Sequence, residues 1–170
     1  MVRLEKMTAS TRPLAEALEV APEQLRFVGT MEEILAIAGG AIVPVLVWHQ
    51  TDTATTDTAE TANGEHLVGF FLLDKEYSLE HGFAKASDLG FRAFLIDVHH
   101  QGKGLARAVM QALPQFIQAR YPQFGRLVLT VNLKNIPARD LYLKNGFIDS
   151  ESHYLGGSAG PQHILYLPLG

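Results

Sequence analysis

A hexapeptide with two glycines, Gln-Gly-Lys-Gly-Leu-Ala at 101–106, separates an apolar strand-like stretch from a helix-like stretch. A helix N-terminus leaves backbone N–H groups without partners and carries partial positive charge. Gly102 and Gly104 would let a bulky anion approach those groups without meeting a Cβ. The spacing therefore predicts a backbone cradle for a phosphate-bearing cofactor.

Two common phosphate-binding motifs do not match this segment. A P-loop needs Gly, four residues and then Gly-Lys-Ser/Thr, which the chain lacks. A dinucleotide fingerprint needs a third small residue where Arg107 stands. The pattern Gln/Arg-x-x-Gly-x-Gly/Ala does match, through Gln101, Gly104 and Ala106. A second pattern, Asn-x-x-Ala-x-x-Leu-Tyr-x-x-x-Gly-Phe, follows at 135–147 after one helix-like and one strand-like stretch.

In this order, the two motifs resemble those of the GNAT superfamily, the acetyl-CoA-dependent N-acetyltransferases. The resemblance covers about residues 91–150, and 91–104 is most similar to the bacterial polyamine (spermidine/spermine) acetyltransferase-like branch. It implies a mixed α/β (α+β) fold, with a twisted, mostly antiparallel sheet flanked by helices. It also implies acetyl-CoA as co-substrate and a primary amine as acceptor, with a polyamine or another small amine as first choice.

The resemblance also assigns the cofactor site. Backbone groups of two strand residues would hold pantetheine and polarise the thioester carbonyl. The cradle would bind the pyrophosphate, while two asparagines and a tyrosine would complete the site. These cofactor-binding residues are Leu95, Ile96, Gln101, Gly102, Lys103, Gly104, Leu105, Ala106, Arg107, Asn132, Asn135 and Tyr142. The asparagines could equally cap the helix that starts near residue 137.

Two residues are predicted to be catalytic. Tyr142 would act as the general acid that protonates the CoA thiolate, and its alternative is a core aromatic. Asp97 would accept the amine proton or hold the amine's positive charge, and its alternative is a structural carboxylate at a strand end. His99 and His100 are adjacent, and on an extended chain they would point to opposite faces, so no metal site is predicted.

Composition limits the remaining possibilities. The 170 residues, with 47% hydrophobic and 19% charged side chains, are typical of one globular domain spanning 1–170. The absence of Cys excludes a cysteine acyl-enzyme and favours direct transfer in a ternary complex. A net charge of -4 argues against nucleic acid and is compatible with a cationic amine. No signal-like or membrane-length apolar stretch is visible, so we predict a cytoplasmic protein without a membrane partner and leave a homodimer open.

Hydrophobic periodicity predicts the elements that would position these residues. Strands are expected at 2–4, 43–48, 67–73, 91–98, 126–132, 148–155 and 163–169, and helices at 12–18, 22–35, 105–120 and from about 137. Pro114 should kink the third helix or end it early. Residues 51–65, rich in Thr, Ala and Asp, are predicted to form a mobile loop.

Two other functions stay open at this point. The acceptor could be a protein N-terminus or a lysine side chain instead of a small amine. The domain could also bind acyl-CoA without turnover, although Tyr142 argues against a pure binding module, which has no use for a proton donor.

Overall fold

Seven strands form one mixed sheet in the order β1-β2-β3-β4-β5-β7-β6. The computed structural model describes residues 1–50 and 64–170. Each neighbouring pair is antiparallel except β4 and β5, which are parallel. The strands are β1 (Val2–Lys6), β2 (Ile42–Gln50), β3 (Glu65–Asp74), β4 (Asp88–Ile96), β5 (Arg126–Asn132), β6 (Ile148–Tyr154) and β7 (Gln162–Pro168). The predicted mixed fold with a mostly antiparallel sheet is confirmed.

Helices cover both faces of this sheet. They are α1 (Arg12–Glu16), α2 (Leu25–Val28), α3 (Met31–Ile37), α4 (Tyr77–Glu80), α5 (Leu105–Arg120) and α6 (Ile136–Lys144), with a 3-10 turn at Val98–His100. The apolar face of α5, which consists of Leu105, Val109, Leu113, Phe116 and Ile117, is buried along its whole length. Pro114 lies inside α5 without ending it, so of the two expected outcomes, a kink or an early end, the early end does not occur. Burial of this face against the sheet offsets the one backbone hydrogen bond that proline removes.

Most predicted boundaries differ from the structure by one to three residues, and a few differences change an element. The helix expected at 22–35 is two short helices, because the chain turns at Gly29 with φ 84° and Thr30 caps α3 through a 3.2 Å bond from the Glu33 N–H. Strand β4 ends at Ile96, so Val98 belongs to the 3-10 turn. Of the predicted loop 51–65, residues 51–63 lie outside the described residues. Glu65 is a strand residue that pairs with Gln50.

The two faces of the sheet carry different helices. Alternate strand residues pack against α5 and, through Tyr142 and Phe147, against the α6 segment in one large apolar cluster. The opposite strand residues pack against α1 and α3 in a second cluster, and Tyr77 of α4 joins Val128 and Ile164 in a third. This alternation follows from the two-residue period of a strand. Helices α5 and α6 therefore lie on one face, and α1, α3 and α4 on the other.

A gap opens in the sheet between β4 and β5. Residues 88–90 pair with 126–128, and the described chain has no further pairs between these strands. We call these three pairs the vertex of the gap. Because the two strands run parallel, the gap lies on the C-terminal side of the vertex. At the vertex, Asp88 accepts two hydrogen bonds from Arg126, at 2.9 and 2.8 Å. A Cβ at Gly90 would overlap the ring of Tyr77, so the ring sits directly on the vertex.

The carboxylate at the vertex is almost fully buried. Burial alone would raise the pKa of Asp88, but hydrogen bonds from Arg126 and from the Lys85 N–H outweigh it and hold the pKa below its usual range. A depressed pKa means that this carboxylate stabilises the fold above the pKa of the unfolded chain, about 4. That stability is lost as the pH falls through the lower folded pKa.

We therefore expect Asp88→Asn to lower the free energy of unfolding by roughly 2–3 kcal/mol at neutral pH, because a half-buried guanidinium loses its ionic partner. Thermal melts should show a lower melting temperature for Asp88→Asn than for wild type at neutral pH. This difference should become smaller below about pH 4, where Asp88 of the wild type becomes protonated. Asp140→Asn is the matched control, since Asp140 is exposed on α6. Equal melting temperatures for wild type and Asp88→Asn would contradict a stabilising role for this pair.

Candidate active site

A cavity of about 910 Å³ runs through the gap between β4 and β5. Residues from both faces of the sheet line it. From the α5 and α6 face come Leu105, Ala106, Leu141 and Tyr142. From the opposite face come the α2–α3 segment, Tyr77, His81 and Arg92, and the β6–β7 loop closes one side. Two reactants can therefore meet in the gap from opposite faces of the sheet.

The predicted backbone cradle lies at one end of this cavity. Gly104 is the N-cap of α5 with φ 75°, and Gly102 has φ 77°. The first turn of α5 closes with a 3.1 Å bond from the Ala108 N–H to the Gly104 carbonyl, so earlier N–H groups of the helix remain available. A Cβ added at either glycine would meet nothing within 4 Å. This open space beside unpaired N–H groups fits an anion.

Not every side chain of the cradle faces the cavity. Gln101 lines it, but its Nε2 donates a 3.1 Å hydrogen bond to the Ile96 carbonyl and so fixes the cradle to the end of β4. Lys103 and Arg107 were expected as cofactor contacts, and the structure does not bring their side chains to the cavity lining. The part of the cradle that faces the cavity is therefore mainly backbone.

Asp97 occupies a structural position. Its carboxylate, in a residue only 6% exposed, accepts hydrogen bonds from the Glu19 N–H at 2.8 Å and the His99 N–H at 2.9 Å. The His99 ring lies 3.0 Å away, and Asp97 does not line the cavity. Of the two alternatives for this residue, the geometry favours the structural carboxylate, which joins the end of β4 to the α1–α2 connection.

The two predicted asparagines differ in how their side chains are used. Asn132 accepts a hydrogen bond from the Lys134 N–H and donates one to the Ala159 carbonyl, both at 2.9 Å. It thereby fixes the β6–β7 loop to the end of β5. Asn135 is the N-cap of α6 but makes no capping bond with its side chain, and it lines the cavity. Asn135 is therefore the asparagine whose amide remains available to a ligand.

Tyr142 lines the cavity from α6 and is 8% exposed. Its ring packs at 5.3 Å from Phe147 and edge-on at 6.3 Å from Phe91 (centroid distances). Burial raises the pKa of its hydroxyl, so the phenol keeps its proton. Among the described residues its hydroxyl has no hydrogen-bond partner. The ring of Tyr142 can therefore pack in the core while its hydroxyl stays free to donate a proton.

Strand β4 carries a bulge where it borders the gap. Its register with β3 shifts between Phe70 and Leu72, and Ala93 has φ 54°. Positive φ is uncommon outside glycine and marks local strain. Leu95 and Ile96, the two strand residues predicted to contact the cofactor, lie beyond the bulge and line the cavity. The bulge takes backbone groups of β4 out of regular pairing with β3, and the sequence pattern did not predict it.

A group of aromatic rings on the face opposite to α5 and α6 was not predicted from the sequence. Tyr77, His81 and Tyr154 line the cavity, and Phe83 packs behind them. They belong to the short helix α4, the turn after it and the end of β6. Four-residue helices have no readable periodicity, so only the topology brings these rings together.

The adjacent histidines have a different backbone conformation from the one expected. His99 and His100 lie in the 3-10 turn and not in an extended strand, which corrects the reason given from the sequence. Burial lowers the pKa of the cavity-lining His100. No group of three or more His, Asp or Glu side chains suited to a metal occurs in residues 1–50 and 64–170. In the same residues, no helix is long and apolar enough to cross a membrane.

Comparison with known proteins identifies the family. Residues 48–147 match the model of the acetyltransferase (GNAT) family, which is more than half of the chain. The chain belongs to this family. Uncharacterized N-acetyltransferase YbbJ of Bacillus subtilis (strain 168) is 35% identical over 103 residues, or 58% of this chain and 62% of that relative. The match therefore spans less than two thirds of the relative's length.

Solved structures of other GNAT proteins share the fold. Aminoglycoside acetyltransferase AAC(6')-Ib in complex with coenzyme A has a TM-score of 0.72 and 16% identity, covering 99% of this chain and 95% of the other. Spermidine N-acetyltransferase from Vibrio cholerae, in complex with CoA and spermine, has a TM-score of 0.66 and 18% identity, with the same coverage. At these identities the likeness establishes the GNAT fold alone.

The cradle of this GNAT chain gives a direct test of cofactor binding. Gly104→Val should raise the Kd for CoA at least about tenfold, because a β-branched residue is strained at φ 75° and would displace the N–H groups around it. Gly125→Val is the matched control, since Gly125 has open space and no positive φ. Calorimetric titration of each protein measures the effect. An unchanged Kd in Gly104→Val would show that the cradle does not hold the cofactor.

Proposed function

We propose that this GNAT chain transfers the acetyl group of acetyl-CoA directly to the primary amine of a small molecule. The observation that carries the proposal is the continuous cavity through the β4–β5 gap. It connects an anion cradle and a buried phenol on one face with an aromatic and charged wall on the other. A group delivered from the first face can meet a nucleophile that enters from the second.

The chain's own residues account for cofactor binding in this proposal. When bound, acetyl-CoA supplies an activated thioester. Backbone N–H groups at Gly104, Leu105 and Ala106 bind the pyrophosphate, assisted by the positive end of α5. Backbone groups of Leu95 and Ile96, beyond the bulge, align the pantetheine and polarise the carbonyl, although the Ile96 carbonyl itself is already bonded to Gln101.

Tyr142 supplies the proton for the leaving sulfur in this proposal. Its raised pKa keeps the phenol neutral, and its position in the cavity wall leaves the hydroxyl without another partner in the described chain. A neutral phenol stabilises a developing thiolate by donating its hydrogen. The chain has no Cys, which removes one covalent route and supports direct transfer in a ternary complex.

The acceptor class is the finer part of the proposal. We propose a small amine, with a polyamine as the first to be tested, on the strength of the sequence resemblance and the net charge of -4. The charges of the cavity do not single out a polycation. Glu23 and Glu33 line it, but so do Arg26 and Arg92. Arg92 is neutralised by Asp74 at 3.1 Å. The expectations of a single domain over 1–170 and of a cytoplasmic location stay part of this proposal.

An amine panel tests the proposed activity. CoA thiol release should be measured with spermidine, an aminoglycoside, a short peptide with a free N-terminus and a simple alkylamine. Release that depends on a small amine is the expected result. Release only with the peptide would place the chain among protein acetyltransferases. Binding of CoA without release for any amine would make it a binding module.

A conservative variant tests the role of the phenol. Tyr142→Phe should lower turnover by a factor of about 10² to 10⁴, because it keeps the ring packing and removes only the proton donor. The affinity for acetyl-CoA should change little, since the lost interaction matters mainly in the transition state. Tyr121→Phe, at a residue that packs on the core outside the cavity, is the control. Turnover near the wild-type value would assign Tyr142 to packing alone.

A further inference from the structure

Nucleophilic attack by an amine also requires a group that accepts a proton, and on the cofactor side the cavity-lining histidine, His100, lies beside the phosphate cradle. A primary amine is protonated in neutral solution, so its nitrogen loses one proton to become a nucleophile and a second as the amide forms. Asp97 is excluded by geometry, because it lies outside the cavity lining and its oxygens are bonded to backbone N–H groups. The acceptor side therefore has to be searched for a base.

Besides the phenol of Tyr154 and the guanidinium groups of Arg26 and Arg92, four titratable groups line the acceptor wall, and their contacts distinguish them. Burial raises the pKa of Tyr77 to about 12, so this phenol stays protonated. Glu33 is occupied at the N-terminus of α3, where it accepts a 3.1 Å hydrogen bond from the Thr30 hydroxyl. Glu23 is exposed in the connection before α2. His81 remains as a half-buried group that lines the cavity.

The His81 ring is held in one orientation and one tautomer. Its Nδ1 lies 3.1 Å from the Tyr77 carbonyl oxygen, which can only accept a hydrogen bond, so the neutral ring carries its proton on Nδ1. The ring also stacks on Tyr77, with centroids 3.9 Å apart and planes 13° apart. The other nitrogen, Nε2, is therefore a lone-pair acceptor, and it has no hydrogen-bond partner among the described residues.

His81 and the proposed acid, Tyr142, lie near the same end of the gap, on opposite faces of the sheet. On one face, the Tyr142 ring meets Phe91, the residue after Gly90. On the other face, Tyr77 sits on Gly90 itself and carries the His81 ring against it. Tyr142 and His81 thus border the gap near its vertex from opposite faces. The second cavity-lining histidine, His100, lies beyond the far end of β4 beside the phosphate cradle.

We infer that His81 is the general base of this enzyme, and that Nε2 takes the proton of the attacking amine either directly or through one water. The inference rests on the proposed function. The amine attacks in its neutral form, after its ammonium proton has been lost to solvent. As its nitrogen bonds to the acetyl carbonyl carbon, a proton of that nitrogen moves to Nε2 and the C–S bond breaks. The sulfur leaves with the electron pair and receives a proton from the Tyr142 hydroxyl. Nε2 then releases its proton to solvent, and the Tyr142 hydroxyl regains one from solvent.

The test uses two variants at the site and one beside it. His81→Gln and His81→Ala should lower kcat by about 10²-fold or more, with the Kd for acetyl-CoA within twofold of wild type. Phe83→Leu is the control, because Phe83 packs at 5.5 Å from the His81 ring but does not line the cavity. Phe83→Leu should lower the melting temperature and leave kcat nearly unchanged.

Chemical rescue separates a base from a packing residue. Added imidazole should restore part of the activity of His81→Ala, and methylimidazoles of higher basicity should restore more. A purely structural histidine would show no such dependence. Activity of His81→Gln and His81→Ala within twofold of wild type would overturn the inference, and so would loss of activity without rescue by any imidazole. A wild-type protein that binds CoA but releases no thiol with any amine would instead overturn the proposed function itself, before any variant is compared.

Discussion

The separation of β4 from β5 is the constraint on which the site depends. A sheet normally pairs its inner strands along their length, because unpaired backbone groups are costly to bury. Here the pairing stops after residue 90, where the Asp88–Arg126 pair holds the vertex closed and Tyr77 covers it. The unpaired edges of both strands then border a cavity through the sheet. If β4 and β5 paired along their whole length, no cavity would pass through the sheet from one helical layer to the other.

This gap assigns different chemistry to the two faces of the sheet. The α5 and α6 face offers backbone N–H groups and a neutral phenol, which suit an anionic cofactor and a leaving thiolate. The opposite face offers stacked rings, an oriented imidazole and mixed charges, which suit a nucleophile that carries a proton to lose. In the proposed mechanism, the acid and the base therefore approach the transferred acetyl group from opposite faces of the sheet.

The sequence predicted the parts of the molecule that local pattern determines. All seven strands, α5 and the glycine cradle follow from periodicity and spacing. The division of the helix at 22–35 and the continuity of α5 through Pro114 were not predicted, because capping by Thr30 and burial against the sheet decide them. The bulge at Ala93 and the rings around His81 depend on register and topology, which a single sequence does not display.

Three polar residues that the sequence assigned to the site have a structural role. Asp97, Gln101 and Asn132 direct their side chains to backbone groups of Glu19, Ile96 and Ala159. Each bond joins a strand end to a neighbouring segment that borders the cavity. Buried polar side chains such as Asp97 and Asn132 must find partners, so they order the frame of the site. In the proposed mechanism, the chemistry then falls to main-chain N–H groups and to side chains with free polar atoms, among them Tyr142 of the second motif.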